Sequence, residues 1–241
     1  MILRSALILF IIKMMDLNNW RKIILKKGNI KQDKILDEVL GSDITRIQRT
    51  LINIDRDAFK NAVDTILKGK RIYIVGIRSC APLAEFLAFY LNMVCDNVVL
   101  VKTSSASEIF EQLIHIGERD VIIGISFPRY SMRTLKALEF ASHRQAKVIT
   151  LTDDIHSPIN IYSSCCLVAQ SEMVSVADSL VAPLSVINAL VTALYMKRKK
   201  DVLENLETLD ALWEDYQVYQ RDEMNLVEDK ITYNYIEEEE E

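Results

Sequence analysis

The chain has 241 residues, half of them hydrophobic, enough to bury one substantial core with a helical appendage beside it. Its formal net charge is −5 and its Lys and Arg residues are scattered, so it lacks the basic footprint of an autonomous nucleic-acid binder. Cys80, Cys95, Cys165 and Cys166 lie in or beside apolar runs with no Cys-x-x-Cys and no zinc-like histidine spacing, which speaks against a metal module and for reduced thiols in a cytosolic protein.

At the N-terminus, Arg4 precedes the apolar run Ala6 to Ile12, the opening pattern of a signal peptide. The run breaks at Lys13, is far shorter than a membrane span and has no small-residue cleavage site after it, so the expected location is the cytoplasm, off the membrane. Residues 14–69 read as helix. Ile35, Leu36, Val39 and Leu40 form an apolar stripe that Ile44, Ile47, Leu51, Ile52 and Ile54 continue past Gly41-Ser42-Asp43. Asp55 reads as the N-cap of a stretch carrying Ala58, Phe59, Ala62, Val63, Ile66 and Leu67, which Gly69 ends. Residues 1–55 show no pair of short helices around a Gly-containing turn with a basic recognition face.

From residue 70 strand and helix alternate. Short apolar runs at 72–75, 98–101, 121–125, 148–151 and 166–168 have few polar interruptions, as strands covered on both faces do. Helical stretches at 81–95, 105–115 and 131–145 lie between them, and the fourth connection, through Ser157-Pro158, is shorter. The alternation predicts an α/β fold, a three-layer αβα sandwich around a five-stranded parallel sheet preceded by N-terminal helices. Asp178-Ser179 reads as the cap of a long apolar helix through Leu180, Val186, Leu190 and Leu194. That helix stops at Lys197-Arg198-Lys199-Lys200, a basic end that suits the helix dipole and reads as solvated surface rather than a nucleic-acid patch. Residues 201–222 give one more helix, and the Glu run at 237–241 has the composition of a disordered tail. The expected organisation is therefore a helical segment at 1–69, the α/β domain at 70–200 and a C-terminal helix with its tail at 201–241.

Ligands of such sheets bind at the carboxyl ends of the strands, near the point where strand order reverses. Two corners there carry hydroxyls, and a helix N-terminus with unpaired N–H groups suits an anion. In Gly76-Ile77-Arg78-Ser79, Gly permits a tight turn, and Ser79 can cap the next helix, donate to a phosphate oxygen, or both. In Ser126-Phe127-Pro128-Arg129-Tyr130-Ser131, Pro128 stiffens the loop while Ser126 and Ser131 mark the strand end and the helix start. The Arg129 fork suits a phosphate, or a carboxylate neighbour in an ion pair, and Tyr130 suits a subunit interface as well as a sugar.

These motifs resemble the sugar isomerase (SIS) domain over residues 70–200, and the whole chain resembles regulators of the ribose phosphate isomerase repressor (RpiR) type. The family's Gly-x-Gly-Ser is matched by Gly76 to Ser79, and its Ser-x-Ser-Gly-x-Thr/Ser by Ser126 and Ser131, with Pro128 for Ser and Arg129 for Gly in between. Lys147 to Asp153, Ser157-Pro158 and Asp178-Ser179 extend the similarity. The resemblance implies a small phosphorylated sugar as ligand, held by Gly76, Arg78, Ser79, Ser126, Arg129 and Ser131; no metal and no cofactor is expected. It also implies a homodimer or tetramer, for which the apolar helices at 44–54 and 203–213 offer surface. Such regulators read DNA through an N-terminal helix-turn-helix, which residues 1–55 do not match, and residues 35–69 resemble the linker helices that precede the sugar domain. DNA binding by this chain alone is thus not expected. The other activity of the fold is aldose-ketose isomerisation, which needs a proton-transfer base; Glu108 and His156 are the candidates, and a sensor is expected rather than an enzyme.

Overall fold

The computed structural model describes residues 32–102, 106–172 and 178–216. The apolar run at 6–12, the expected helix over 14–31 and the Glu tail fall outside the described residues. The chain divides into two units, Met1–Arg198 and Lys199–Glu241.

In the first unit, a 3-10 turn at Gln32–Lys34 leads into α1 (Ile35–Asn53), which runs straight through Gly41-Ser42-Asp43. Ile54 is extended and ends α1. The Asp55 carboxylate then accepts from the backbone N–H groups of Asp57 and Ala58, each at 2.9 Å, as the N-cap of α2 (Arg56–Lys68). Asp55→Ala should cost about 1 kcal/mol, seen as a lower urea midpoint at an unchanged m-value.

The sheet is built from β1 (Ile72–Gly76), β2 (Val98–Leu100), β3 (Val121–Ile125), β4 (Lys147–Thr152) and β5 (Cys165–Val168). All pairs are parallel, in the order β2-β1-β3-β4-β5. Every residue of β1 and β3 is buried, whereas edge strand β2 is half-buried. The connections are α3 (Ala81–Leu91), α4 (Ala106–Leu113), α5 (Met132–His143) and a 3-10 turn at Pro158–Tyr162. α3 stops before its apolar pattern does, because Val94 and Cys95 are buried in the turn that follows it and are indistinguishable by periodicity from a further helical turn. α6 (Val181–Lys197) follows β5.

α2, α3 and α6 cover one face of the sheet and α4, α5 and the 3-10 turn the other, with α1 lying over α6. On the second face Tyr73, Val75, Ile122 and Val148 pack against Ile109, Leu113, Leu135 and Leu138. A Cβ at Gly124 would sit 2.7 Å from a Leu138 methyl, so the glycine lets α5 approach β3 closely. The second unit contains α7 (Lys199–Asp215), where Lys200 pairs with Glu204 one turn on at 3.8 Å.

This topology fixes where a ligand can sit. β1 and β3 are neighbours, but α3 leaves β1 toward one face and α5 leaves β3 toward the other. Their loops diverge at the carboxyl edge and leave a cleft at the point of reversal.

Candidate functional site

The first corner does not turn where the sequence suggested. No described glycine has a positive φ, and the left-handed residue is Arg78, at φ 60°. Gly76 serves close approach instead: a Cβ there would lie 2.5 Å from the Cys80 carbonyl oxygen and 3.0 Å from the Ala84 Cβ. In the second corner Arg129 is left-handed too, at φ 70°. Both arginines stand where the resembled motifs carry glycine. Left-handed backbone costs a non-glycine residue about 1–2 kcal/mol, and such strain gathers at functional sites.

Ser79 lies in a 3-10 turn, Arg78–Cys80, and the N-cap of α3 is Cys80, with no side-chain cap bond. The capping role open to Ser79 in the sequence is therefore not made. Ser131 does cap: its Oγ accepts from the Thr134 N–H at 3.3 Å. Its own N–H donates to the buried Ser126 Oγ at 3.1 Å, tying the two ends of the loop together. A hydroxyl that accepts through a lone pair keeps its O–H for donation, so these bonds leave Ser126 and Ser131 able to hold an anion.

Ile77 to Cys80 and Ser126 to Arg129, together with Ser131, line one cleft of about 150 Å³. Ser79, Ser126 and Ser131 thus share a cavity with both arginines. A wider cleft of about 420 Å³ adjoins it through Ile77 and Arg78 and is lined also by Gly76, Glu85, Lys102 and Glu108. Glu85 and Lys102 stand in no motif that marks them in the sequence, although a lysine just beyond the carboxyl end of a strand is a usable signal. His156 lines neither cleft: it is exposed in the turn after β4, where its N–H donates to Asp154 Oδ1 at 2.7 Å. The thiol of Cys80, in the smaller cleft, is pushed above its ordinary pKa mainly by burial, against weaker lowering by Phe127 and Ser79.

The Arg129 guanidinium is ion-paired with the Asp178 carboxylate. This corrects the cap expected at Asp178-Ser179. α6 begins later, at Val181, and its N-cap Leu180 makes no side-chain cap bond. Asp178 faces Arg129 from 49 residues away, while the Ser179 hydroxyl donates to Asp43 Oδ1 on α1 at 2.6 Å. The Tyr130 hydroxyl donates to Asp153 Oδ1 at 2.8 Å and braces the second corner to the end of β4. Burial, and then the neighbouring Asp153 charge, push the phenol far above its ordinary pKa, so it stays a donor. Burial also raises the Asp153 carboxyl, against the lowering effect of that hydrogen bond.

Among the described residues no three His, Cys, Asp or Glu side chains cluster to hold a metal, and no helix is long and apolar enough to cross a membrane. The SIS domain family matches residues 65–193. An uncharacterized HTH-type transcriptional regulator of Clostridium perfringens is 24% identical over 148 residues, 60% of this chain and 52% of its own. The chain therefore spans about half the length of that curated relative. The sugar isomerase domain of the RpiR transcription factor from Sphaerobacter thermophilus superposes with a TM-score of 0.71 at 26% identity, over 74% of this chain and 99% of that one. The Vibrio vulnificus NanR protein complexed with ManNAc-6P shares the fold, with a TM-score of 0.64 at 22% identity over 74% of this chain and 69% of its own.

Proposed function

This chain belongs to the SIS domain family, and from that premise we propose that it is a phosphosugar-binding regulatory sensor of RpiR type. One observation carries the reading: the serines of two corners 47 or more residues apart in sequence, Ser79 on one side and Ser126 and Ser131 on the other, line a single cleft with two arginines at the reversal point of a parallel sheet. The phosphoryl group sits there, with hydroxyl donors from the serines, charge from Arg78 and Arg129, and the N-terminus of α5 behind it. The sugar extends into the wider cleft, where the Glu85 and Glu108 carboxylates accept from its hydroxyls and Lys102 donates. The regulator names of the relatives, and the ManNAc-6P bound to one structure of this fold, support the ligand class.

The sensor works in the cytoplasm as a homodimer or tetramer, its ligand shifting the population of subunit packings. The exposed apolar stripe of α1, through Leu36, Leu40, Ile44 and Leu51, suits a subunit contact. Light scattering should return a mass well above the 27.7 kDa of one chain. A monomer at working concentration contradicts the assembly.

A thermal-shift and calorimetric screen of pentose, hexose and N-acetylhexosamine phosphates tests the binding, since a ligand of the folded state raises its stability. Ser126→Ala and Ser131→Ala should each weaken the best ligand by about 1–3 kcal/mol, or about 5- to 150-fold. An unchanged dissociation constant in both removes the serines from the site. Isomerisation is the second reading, and the presence of Glu108 in the wider cleft favours it. Steady turnover of an aldose or ketose phosphate that Glu108→Gln abolishes would establish an enzyme; saturable binding without turnover establishes the sensor.

A further inference from the structure

We propose that Asp178 is a built-in competitor of the phosphoryl group for Arg129, and that its displacement carries occupancy of the cleft to α1. The inference rests on the sensor reading and adds its regulation. A guanidinium fork donates to a carboxylate or to a phosphoryl group with the same geometry. Arg129 lines the cleft with Ser79, Ser126 and Ser131 and has the Asp178 carboxylate on its fork. A dianion entering the cleft meets a cation already neutralised and a negative charge beside it. One arginine is thus shared between two anions, and the incoming one gains its full partner only when Asp178 withdraws.

The next residue gives that withdrawal a consequence. Ser179 turns the other way and donates to Asp43 Oδ1 at 2.6 Å, and the same oxygen accepts from Arg46 at 3.1 Å. The Arg46 side chain is only 4% exposed, and its Nε is buried without a hydrogen-bond partner. A buried donor left unpaired disfavours the arrangement that buries it, so a rearrangement that re-pairs Nε recovers part of that cost. The dipeptide Asp178-Ser179 is therefore a strap with one side chain on the ligand corner and the other on α1. With Asp178 on Arg129 the strap is held; with a phosphoryl group on Arg129 it is released, together with the Asp43 and Arg46 contacts. The ligand prefers the released state, which is the differential affinity that coupling between two sites requires.

Calorimetry with the sugar-phosphate panel and hydrogen exchange over residues 43–53 test this on the full chain as wild type, Asp178→Asn and Ser179→Ala. Asp178→Asn should bind the best panel member at least about fivefold more tightly than wild type, within the usual range of coupling between sites. In the wild type that ligand should speed exchange in α1; in both variants exchange should already be fast and the ligand should add little. Ser179→Ala keeps the Arg129 pair, so it reports on the α1 end even if Asp178→Asn folds poorly. Equal or weaker binding by a folded Asp178→Asn overturns the competitor, since Asp178 then only orients Arg129. Exchange in α1 that ligand leaves unmoved in the wild type overturns the relay. If wild type and variants all fail to bind any panel member, the sensor reading itself fails and the proposal falls with it, whereas binding without tightening sinks the competitor alone.

Discussion

Gly76→Ala should lower the melting temperature by about 6–12 °C, the equivalent of about 3 kcal/mol in a chain of this size. A methyl group at this position would lie 2.5 Å from the Cys80 carbonyl oxygen and 3.0 Å from the Ala84 Cβ. Both are atoms of packed backbone and helix rather than the far end of a flexible side chain, so relief requires moving the turn at Arg78–Cys80 or sliding α3 outward. Either movement displaces Arg78 and Ser79, and phosphosugar binding should fall along with stability. Gly41→Ala is the control. A Cβ at Gly41 meets nothing within 4 Å in the middle of α1, so alanine there should raise stability by about 0.5–1 kcal/mol through helix propensity. Thermal melts by circular dichroism should move in opposite directions for the two variants. A Gly76→Ala melt within about 2 °C of wild type would show that the corner is not packed as described.

What the amino-acid order discloses here is mostly what is local. The five strands stand within a residue or two of their apolar runs, because a strand covered on both faces has to be apolar throughout. Asp55 was legible as a cap because the bond it makes spans two and three residues. Asp178-Ser179 carried the same local signal before an apolar helix and does something else, since its partners, Arg129 and Asp43, are distant in sequence. The two serines that could each have been a helix cap are also indistinguishable by pattern. Only the 3-10 turn inserted at Arg78–Cys80 separates Ser79 from its helix and leaves Ser131 as the one that caps. The roles of glycine are read no better: freedom of φ and absence of a side chain predict the same residue, and at Gly76 it is the second that matters while Arg78 takes the strained conformation.

The same strain makes two chemically identical substitutions diverge. Arg78→Gly should leave the protein as stable or up to about 1.5 kcal/mol more stable, because about 1–2 kcal/mol of left-handed strain at φ 60° is relieved against about 0.5–1 kcal/mol of added chain entropy. Arg129→Gly relieves similar strain at φ 70° but strips the partner from Asp178, whose side chain is 8% exposed. An unpaired carboxylate at that depth costs about 1–3 kcal/mol or more, so this variant should be net destabilised by about 1–2 kcal/mol. Binding should not follow stability. Each arginine donates charge-assisted hydrogen bonds to the phosphoryl group in the proposed site, and loss of either should raise the dissociation constant by about 10- to 150-fold. Arg78→Gly would then be a chain that melts higher and binds worse, the pattern of a residue held in a costly conformation for the sake of its ligand. Urea titration and calorimetry on the two variants give all four values. An Arg129→Gly variant as stable as wild type would mean that Asp178 does not depend on Arg129, a destabilised Arg78→Gly would mean that no strain is relieved there, and full affinity in Arg78→Gly would remove that guanidinium from the phosphate cradle.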